Sequence, residues 1–347
     1  MEEVSHSGQG MKNIKGYTLK ELRELFTSMD EKSFRADQIF RWLWVKGAED
    51  FEKMTDISKA LRERLKNEFY ISSLEPAHVS TSRDGSIKYL FKLEDGETIE
   101  SVFIPEGKRR TVCVSTQVGC GMGCKFCATG KIGLIRNLSF YEIADQVLSV
   151  QKITGERITN VVLMGMGEPF ANLDEVLKAL RIINKHIGIG ARKITVSTAG
   201  IVPGIKRFAE TPFQYKLAIS LNAAIQEKRE KIMPVAKAYT INDIMDALDY
   251  YYSRKHLRVT FEYVLFKNFN DSEEDAEALG AIASRIPSKI NIIPYNQVEG
   301  FPYESPDEDD VNRFAEYLYP IAPAVTIRWS RGRDVHAACG QLRGMYT

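Results

Sequence analysis

Cys120, Cys124 and Cys127 crowd into one short stretch, VGCGMGCKFCATG, with the spacing C-x3-C-x2-C. Three thiolates this close can hold three irons of a cubic 4Fe-4S cluster and leave the fourth iron without a protein ligand. A cluster with four cysteine ligands normally passes electrons, whereas an open iron can bind a reactant. The competing readings are three buried hydrophobes, a disulfide with a spare thiol, or part of a zinc site. A structural zinc site wants four ligands, usually as two separated pairs. This chain has no second C-x2-C pair and no nearby His to complete one. The spacing therefore favours the cluster. Cys113 and Cys339 lie far apart in sequence, and the residues alone leave them open to a structural role as buried thiols.

Elements that could position such a loop follow from Thr111 onward. Apolar runs predict strands at 111–115, 161–164, 193–197, 216–221, 259–265, 289–293 and 325–329. Helical periodicity falls between them, at 140–153, 173–185, 241–253, 273–284 and 309–318. This alternation implies right-handed βαβ units and a parallel sheet. The expected fold class is α/β, a partial or full parallel β/α barrel with functional groups at the C-terminal strand ends. The cysteine loop follows the first strand, as that rule requires. The second strand runs into Gly165-Met166-Gly167-Glu168-Pro169, where glycines let backbone approach a ligand and Glu168 can accept from an ammonium. Later strands end at Ser197-Thr198-Ala199-Gly200, Ser220-Leu221-Asn222 and Pro294-Tyr295-Asn296. Any one of these reads equally well as a tight turn or helix cap. Four around one rim favour a polar ligand.

The chain of 347 residues can bury a large core with room for a smaller domain. It has no run of about 18 apolar residues, so no membrane span is expected. The polar start, MEEVSHSGQG, lacks an apolar signal core, so a cytoplasmic protein is expected. A net charge of +1 announces no nucleic-acid partner, although local patches suffice for one. Lys108-Arg109-Arg110, close in sequence to the cysteine loop, is either a solvated turn or a contact for RNA phosphate. Residues 1–15 read as a polar tail and 16–75 as a small helical domain. Its apolar faces are Leu19, Leu22 and Phe26, then Ile39, Phe40 and Leu43, then Ile57, Leu61 and Leu65, with Thr18 and Asp56 as caps. This domain is a packing accessory or an RNA-docking module. Residues 76–110 form a connector in which SIKYLFKL and TIESVFI alternate around Glu94-Asp95-Gly96-Glu97, a hairpin signal. Residues 111–347 hold the barrel and a C-terminal cysteine segment.

The C-x3-C-x2-C loop with Phe126 before its last cysteine resembles that of radical S-adenosylmethionine (SAM) enzymes, and Gly165–Pro169 resembles their GGEP-type motif. Nearly the whole chain, including the segment Ala337-Ala338-Cys339-Gly340-Gln341-Leu342, is similar to the RlmN family of adenine-C2 RNA methyltransferases. The resemblance implies one 4Fe-4S cluster on Cys120, Cys124 and Cys127. It implies SAM, two per turnover, held by Gly167, Glu168, Ser197, Ser220, Leu221, Asn222 and Asn296. Family members often carry His where this chain has Asn222, so a backbone contact is expected there. Cys339 becomes the methyl carrier, methylated by one SAM. A second SAM gives a 5′-deoxyadenosyl radical that removes hydrogen from that methyl group. The carbon radical then adds to adenine C2 as a protein–RNA adduct. Cys113 helps resolve the adduct, leaving a disulfide with Cys339, and Glu100 is the proton acceptor. The implied partners are 23S rRNA near the peptidyl transferase centre, the anticodon-loop adenosine of some tRNAs, and a flavodoxin- or ferredoxin-type reductant. A monomer is expected.

The nearest rival is the Cfr-type enzyme, which methylates adenine C8 and confers antibiotic resistance. Pro169 and the long helical front domain look more like the C2 family. A sulfur-inserting radical SAM enzyme would want a second cluster, and two further cysteines are too few for it. An RNA-binding protein with a structural metal would cleave no SAM and give Cys339 no role.

Overall fold

The computed structural model describes residues 10–344. Residues 1–9 of the expected polar tail lie outside the described residues. Strand β1 (Lys12–Asn13) pairs in parallel with β2 (Phe69–Tyr70) and brackets helices α1 (Leu19–Ser28), α2 (Phe34–Trp44) and α3 (Lys59–Glu68). The front unit thus takes in Lys12–Asn13 and the buried Ile14, ahead of the boundary drawn from sequence. Thr18 and Glu21 form a capping box that starts α1. The cap of α3 is Ser58, whose Oγ accepts from the Leu61 N–H at 3.3 Å. Asp56, expected in that role, instead accepts from the Trp42 indole.

Three antiparallel strands follow, β3 (Pro76–Thr81), β4 (Ile87–Lys92) and β5 (Thr98–Glu106). The chain then enters the barrel at β6 (Arg109–Cys113). A separate hairpin of β7 (Gln117–Cys120) and β8 (Gly133–Asn137) encloses the cysteine loop and the short α4 (Ala128–Ile132). The rest alternates: α5 (Phe140–Thr154), β9 (Asn160–Leu163), α6 (Leu173–Lys185), β10 (Ile194–Thr198), α7 (Val202–Ala209), β11 (Lys216–Ser220), α8 (Gln226–Ile232), α9 (Ile241–Lys255), β12 (Val259–Leu265), α10 (Glu273–Ser284), β13 (Ser288–Pro294), α11 (Glu308–Leu318) and β14 (Val325–Ile327). The main sheet runs β14-β13-β12-β11-β10-β9-β6-β5-β4-β3. Strands β6 and β9 to β14 pair in parallel, and β5, β4 and β3 extend them antiparallel. The architecture is a partial parallel barrel with a three-stranded extension, where sequence gave only a hairpin.

Register decides which side chains meet. Val102 of β5 lies opposite Cys113 of β6 and opposite Lys88 of β4. Cys113 lies opposite Val162 of β9. Directly opposed residues share a face, as do residues two apart on a strand. Lys88, Glu100, Cys113 and Val162 therefore lie on one face of the sheet.

A buried ion pair fastens the front unit to the barrel. Lys15 Nζ lies 2.7 and 3.0 Å from the two carboxylate oxygens of Asp145 on α5. Burial raises the Asp145 pKa, while Lys15 pulls it down. Removing one member of a buried pair leaves the other uncompensated, at a cost of about 3–5 kcal/mol. Lys15→Met is accordingly expected to lower the stability of the folded chain by that order in a denaturant titration. A loss below about 1 kcal/mol would show that the pair is a surface-type contact. A cavity of about 650 Å³ beside this pair is lined by Lys46, Glu49, Lys152 and Arg157. It belongs to this junction and not to the cysteine site.

Candidate active site

The cysteine loop begins where β7 ends, at Cys120, and closes where α4 starts, just after Cys127. Cys120 is buried, Cys124 and Cys127 are half-buried, and all three thiols are free. Burial pushes the Cys120 thiol up to about 12, with Cys127 and Glu168 adding to it. Burial also pushes Cys124 well up, helped by Cys127 and Cys120. Cysteine must give up its proton to ligate a metal, so binding a cationic centre here would release protons. An all-thiol donor set suits an iron–sulfur cluster. Phe126, Ile232, Met233, Phe266 and Tyr295 form an apolar wall against which Cys124 and Cys127 pack. Such a shell limits water and sets the local dielectric around a cluster.

The strand-end residues expected to hold SAM form one rim. Ser197 Oγ and Ser220 Oγ lie 3.2 Å apart across neighbouring strands. Gly167 has φ +99°, and an added Cβ would sit 2.6–2.8 Å from Gln117. Its glycine is therefore required by the close packing of this turn on β7, whatever else approaches it. The Glu168 carboxylate accepts from the Phe170 N–H at 3.0 Å and the Ala199 N–H at 2.7 Å. Burial raises its pKa, against hydrogen bonds from Thr198, Ala199 and Phe170. Glu168 thus ties its own turn to the end of β10. Leu221 is wholly buried, and its N–H donates to the Glu262 carbonyl at 3.0 Å. Asn222 adopts φ +59°. Its Nδ2 donates to Met233 Sδ at 3.4 Å, its Oδ1 accepts from the Val264 N–H at 3.2 Å, and its carbonyl accepts from Asn270 at 2.8 Å. It acts here as a junction between strand ends. Asn296 Nδ2 donates to Ser330 Oγ at 2.8 Å and to the Cys339 carbonyl at 3.1 Å. Among the described residues, Asn296 Oδ1 and Thr116 Oγ1 are buried without a hydrogen-bond partner. Buried polar atoms are normally satisfied, so these orphans fit a polar ligand with donors to offer.

Arg229 was not singled out from sequence. It is wholly buried and donates to the carbonyls of Leu221 at 3.1 Å and Ala199 at 2.6 Å. One guanidinium thereby fixes two ends of the rim. Burial lowers its pKa to about 10, with Cys124 opposing that fall.

The two remaining cysteines, far apart in sequence, fall under the influence of one cation, Arg328. Burial raises Cys113 to about 12, Cys339 adds to this, and Arg328 opposes it. Burial likewise raises Cys339, against Arg328 and with Glu262 and Cys127. Cys339 itself is exposed. Arg328 feels both thiols, and its Nη1 reaches Met164 Sδ at 3.8 Å. The Glu262 carboxylate accepts from Asn291 at 3.0 Å, and among the described residues its other oxygen has no hydrogen-bond partner. Both cysteines are free thiols, so the disulfide implied by resemblance is not formed in this state.

Glu100 is completely buried, not a solvated strand residue. Lys88 Nζ lies 3.0 Å from its Oε1. Its Oε2 accepts from the N–H groups of Arg343 at 2.7 Å and Gly344 at 3.2 Å. The segment carrying Cys339 is also tied to α4: Ala128 N–H donates to the Gly340 carbonyl at 2.8 Å, and Thr129 Oγ1 to that of Leu342 at 2.7 Å. The methyl-carrier candidate thus rests on the helix that leaves the cysteine loop. The run Lys108–Arg110 is placed differently from its sequence neighbours. It sits at the start of β6, about 13 Å of extended chain from Cys113, and Arg110 pairs with Glu156 at 3.1 Å. It is not beside the chemistry.

The radical SAM superfamily matches residues 114–279, and the ribosomal RNA large subunit methyltransferase N-terminal domain matches residues 12–71. A solved radical SAM methyltransferase from Sphaerobacter thermophilus superposes with a TM-score of 0.91 at 40% identity, covering 96% of this chain and 100% of that one. Fold, thiol loop and polar rim together define a radical SAM enzyme, whose cofactors are a 4Fe-4S cluster and SAM. The probable dual-specificity RNA methyltransferase RlmN of Dictyoglomus turgidum is 46% identical over 97% of this chain and 98% of its own. The dual-specificity RNA methyltransferase RlmN of Geobacter sulfurreducens is 46% identical over 96% and 92%. The chain belongs to the RlmN family of RNA methyltransferases.

Proposed function

We propose that this chain methylates carbon 2 of one adenosine in 23S rRNA near the peptidyl transferase centre, and of the anticodon-loop adenosine in some tRNAs. The observation that supports the reading most is that Cys113 and Cys339, distant in sequence, both feel Arg328, while Asn296 of the strand-end rim donates to the Cys339 carbonyl. A methyltransferase working by direct displacement has no use for such a pair. Cys120, Cys124 and Cys127 would hold the cluster, and Gly167, Glu168, Ser197, Ser220, Leu221, Asn222 and Asn296 would surround SAM. Bound there, they supply a methyl group and one-electron chemistry strong enough to remove hydrogen from it.

The chain's own residues do the rest. Cys339 accepts the methyl group as a thiolate, which Arg328 favours against burial. Asn296 and α4 hold its backbone in place. Cys113 faces the same space and releases the product, closing a disulfide with Cys339. Glu100 is the proton acceptor, its Oε1 facing Lys88 and its Oε2 held by the Arg343 and Gly344 amides. The front domain, residues 16–75, docks RNA, and the adenine reaches the chamber from an unpaired region, where extrusion costs least. A flavodoxin- or ferredoxin-type protein supplies electrons to a cytoplasmic monomer. Among the described residues no helix is long and apolar enough to cross a membrane.

Mass spectrometry of nucleosides from 23S rRNA and tRNA tests this, after anaerobic incubation with reconstituted protein, SAM and reductant. 2-Methyladenosine is expected, and its source shows which RNA is served. 8-Methyladenosine would place the activity with the Cfr type and overturn the carbon-2 reading.

A further inference from the structure

We propose that Lys88 is a positioning residue for the methyl-carrying cysteine: it holds the Glu100 carboxylate beneath the C-terminal segment, and that carboxylate fixes the backbone just beyond Cys339. This rests on the reading of Cys339 as the methyl carrier.

The Lys88 and Glu100 side chains are 3% and 0% exposed. A buried carboxylate is costly unless a cation and hydrogen bonds compensate it. Oε1 accepts no hydrogen bond among the described residues, and what faces it is the Lys88 ammonium at 3.0 Å. Oε2 is filled by two backbone N–H groups, those of Arg343 and Gly344. The segment's other ties to the rest of the chain, from Ala128, Thr129, Asn296 and Thr98 and from Gln341 to the Gln297 carbonyl, join neutral partners. Hydrogen bonds to a carboxylate are roughly twice as strong as neutral ones, so the Glu100 clasp is the firmest hold on this stretch.

Register explains why a clasp placed there matters to Cys339. Lys88, Val102 and Cys113 form one row across β4, β5 and β6, and Glu100 is two residues from Val102 on the same face. The C-terminal segment therefore crosses this face from Cys113, beside Cys339, to Glu100, beneath Arg343 and Gly344. Lys88 acts on the thiol only through Glu100 and the backbone.

The test uses the full chain with its cluster and no RNA. Hydrogen exchange of the 336–344 peptide and the rate of Cys339 alkylation by iodoacetamide are measured in Lys88→Met and Lys88→Arg. In Lys88→Met, exchange at Arg343 and Gly344 is expected to speed up about tenfold or more. Alkylation should accelerate with it. The rate of Cys339 methylation should fall, while the SAM concentration for half-maximal rate stays put. Lys88→Arg should restore all three. Should Lys88→Met fail to fold, the uncharged pair Lys88→Met with Glu100→Gln carries the test, and its neutral acceptor predicts exchange several-fold faster than the parent. Unchanged exchange and alkylation in either folded variant would overturn the proposal. Failure of Lys88→Arg to restore them, in a protein with the parent's melting temperature, would do the same. These readouts are independent of RNA. A parent enzyme that makes no 2-methyladenosine would sink the functional reading and leave the placement measurement standing.

Discussion

Cys120→Ala protein, reconstituted anaerobically, is expected to lose its brown cluster absorbance and its reductive cleavage of SAM. With only Cys124 and Cys127 left, the loop offers two thiolates to a cube that needs three. The rate should fall at least about a thousandfold, equivalent to about 4 kcal/mol of barrier. Methylated Cys339 should vanish too if its formation depends on the cluster. The thermal melt is recorded alongside as a control for fold and should stay near the parent's. Full SAM cleavage by this variant would overturn the cluster assignment.

Cys113→Ala is expected to stop after a single turnover with the RNA still attached. On the proposed reading, Cys113, whose ionisation both Cys339 and Arg328 influence, is the thiol that frees the product. Its removal leaves the steps before release intact. A denaturing gel with labelled RNA should show a slow protein–RNA band that protease digestion removes. Free RNA alone, with SAM cleaved at the normal rate, would count against the role given to Cys113.

Much of this was legible from residue types. The strand 259–265 and the helices 173–185 and 273–284 coincide with β12, α6 and α10, because each is a run long enough for its period to declare itself. Strand β3 escaped because Pro76–Thr81 is largely exposed and has a register shift near its start, so no alternation marks it. The short α4, α7 and α8 give too few turns for a 3.6-residue period to stand out. The cysteine loop was plain because its chemistry is local in sequence. The pairing of Cys113 with Cys339 was suggested only by resemblance, since it depends on how the fold places β6 and the C-terminal segment. Lys88, Arg229 and Arg328 carried no signal, because a lone cation on a strand or helix usually reads as solvated. Burial alone changes that reading, and burial is a property of the fold. The same logic moved Lys108–Arg110 away from the site, since five residues of extended strand separate the two ends of β6.

The most direct test of the central claim follows the methyl group itself, using SAM with a fully deuterated methyl. Protein lacking any prior methyl on Cys339 is incubated with RNA, and the mass of the methyladenosine product is read. If Cys339 carries the group and gives it up after losing one hydrogen, the product methyl keeps two deuteriums and takes its third hydrogen from solvent. A product with all three deuteriums would mean direct transfer from SAM, and Cys339 would not be the carrier.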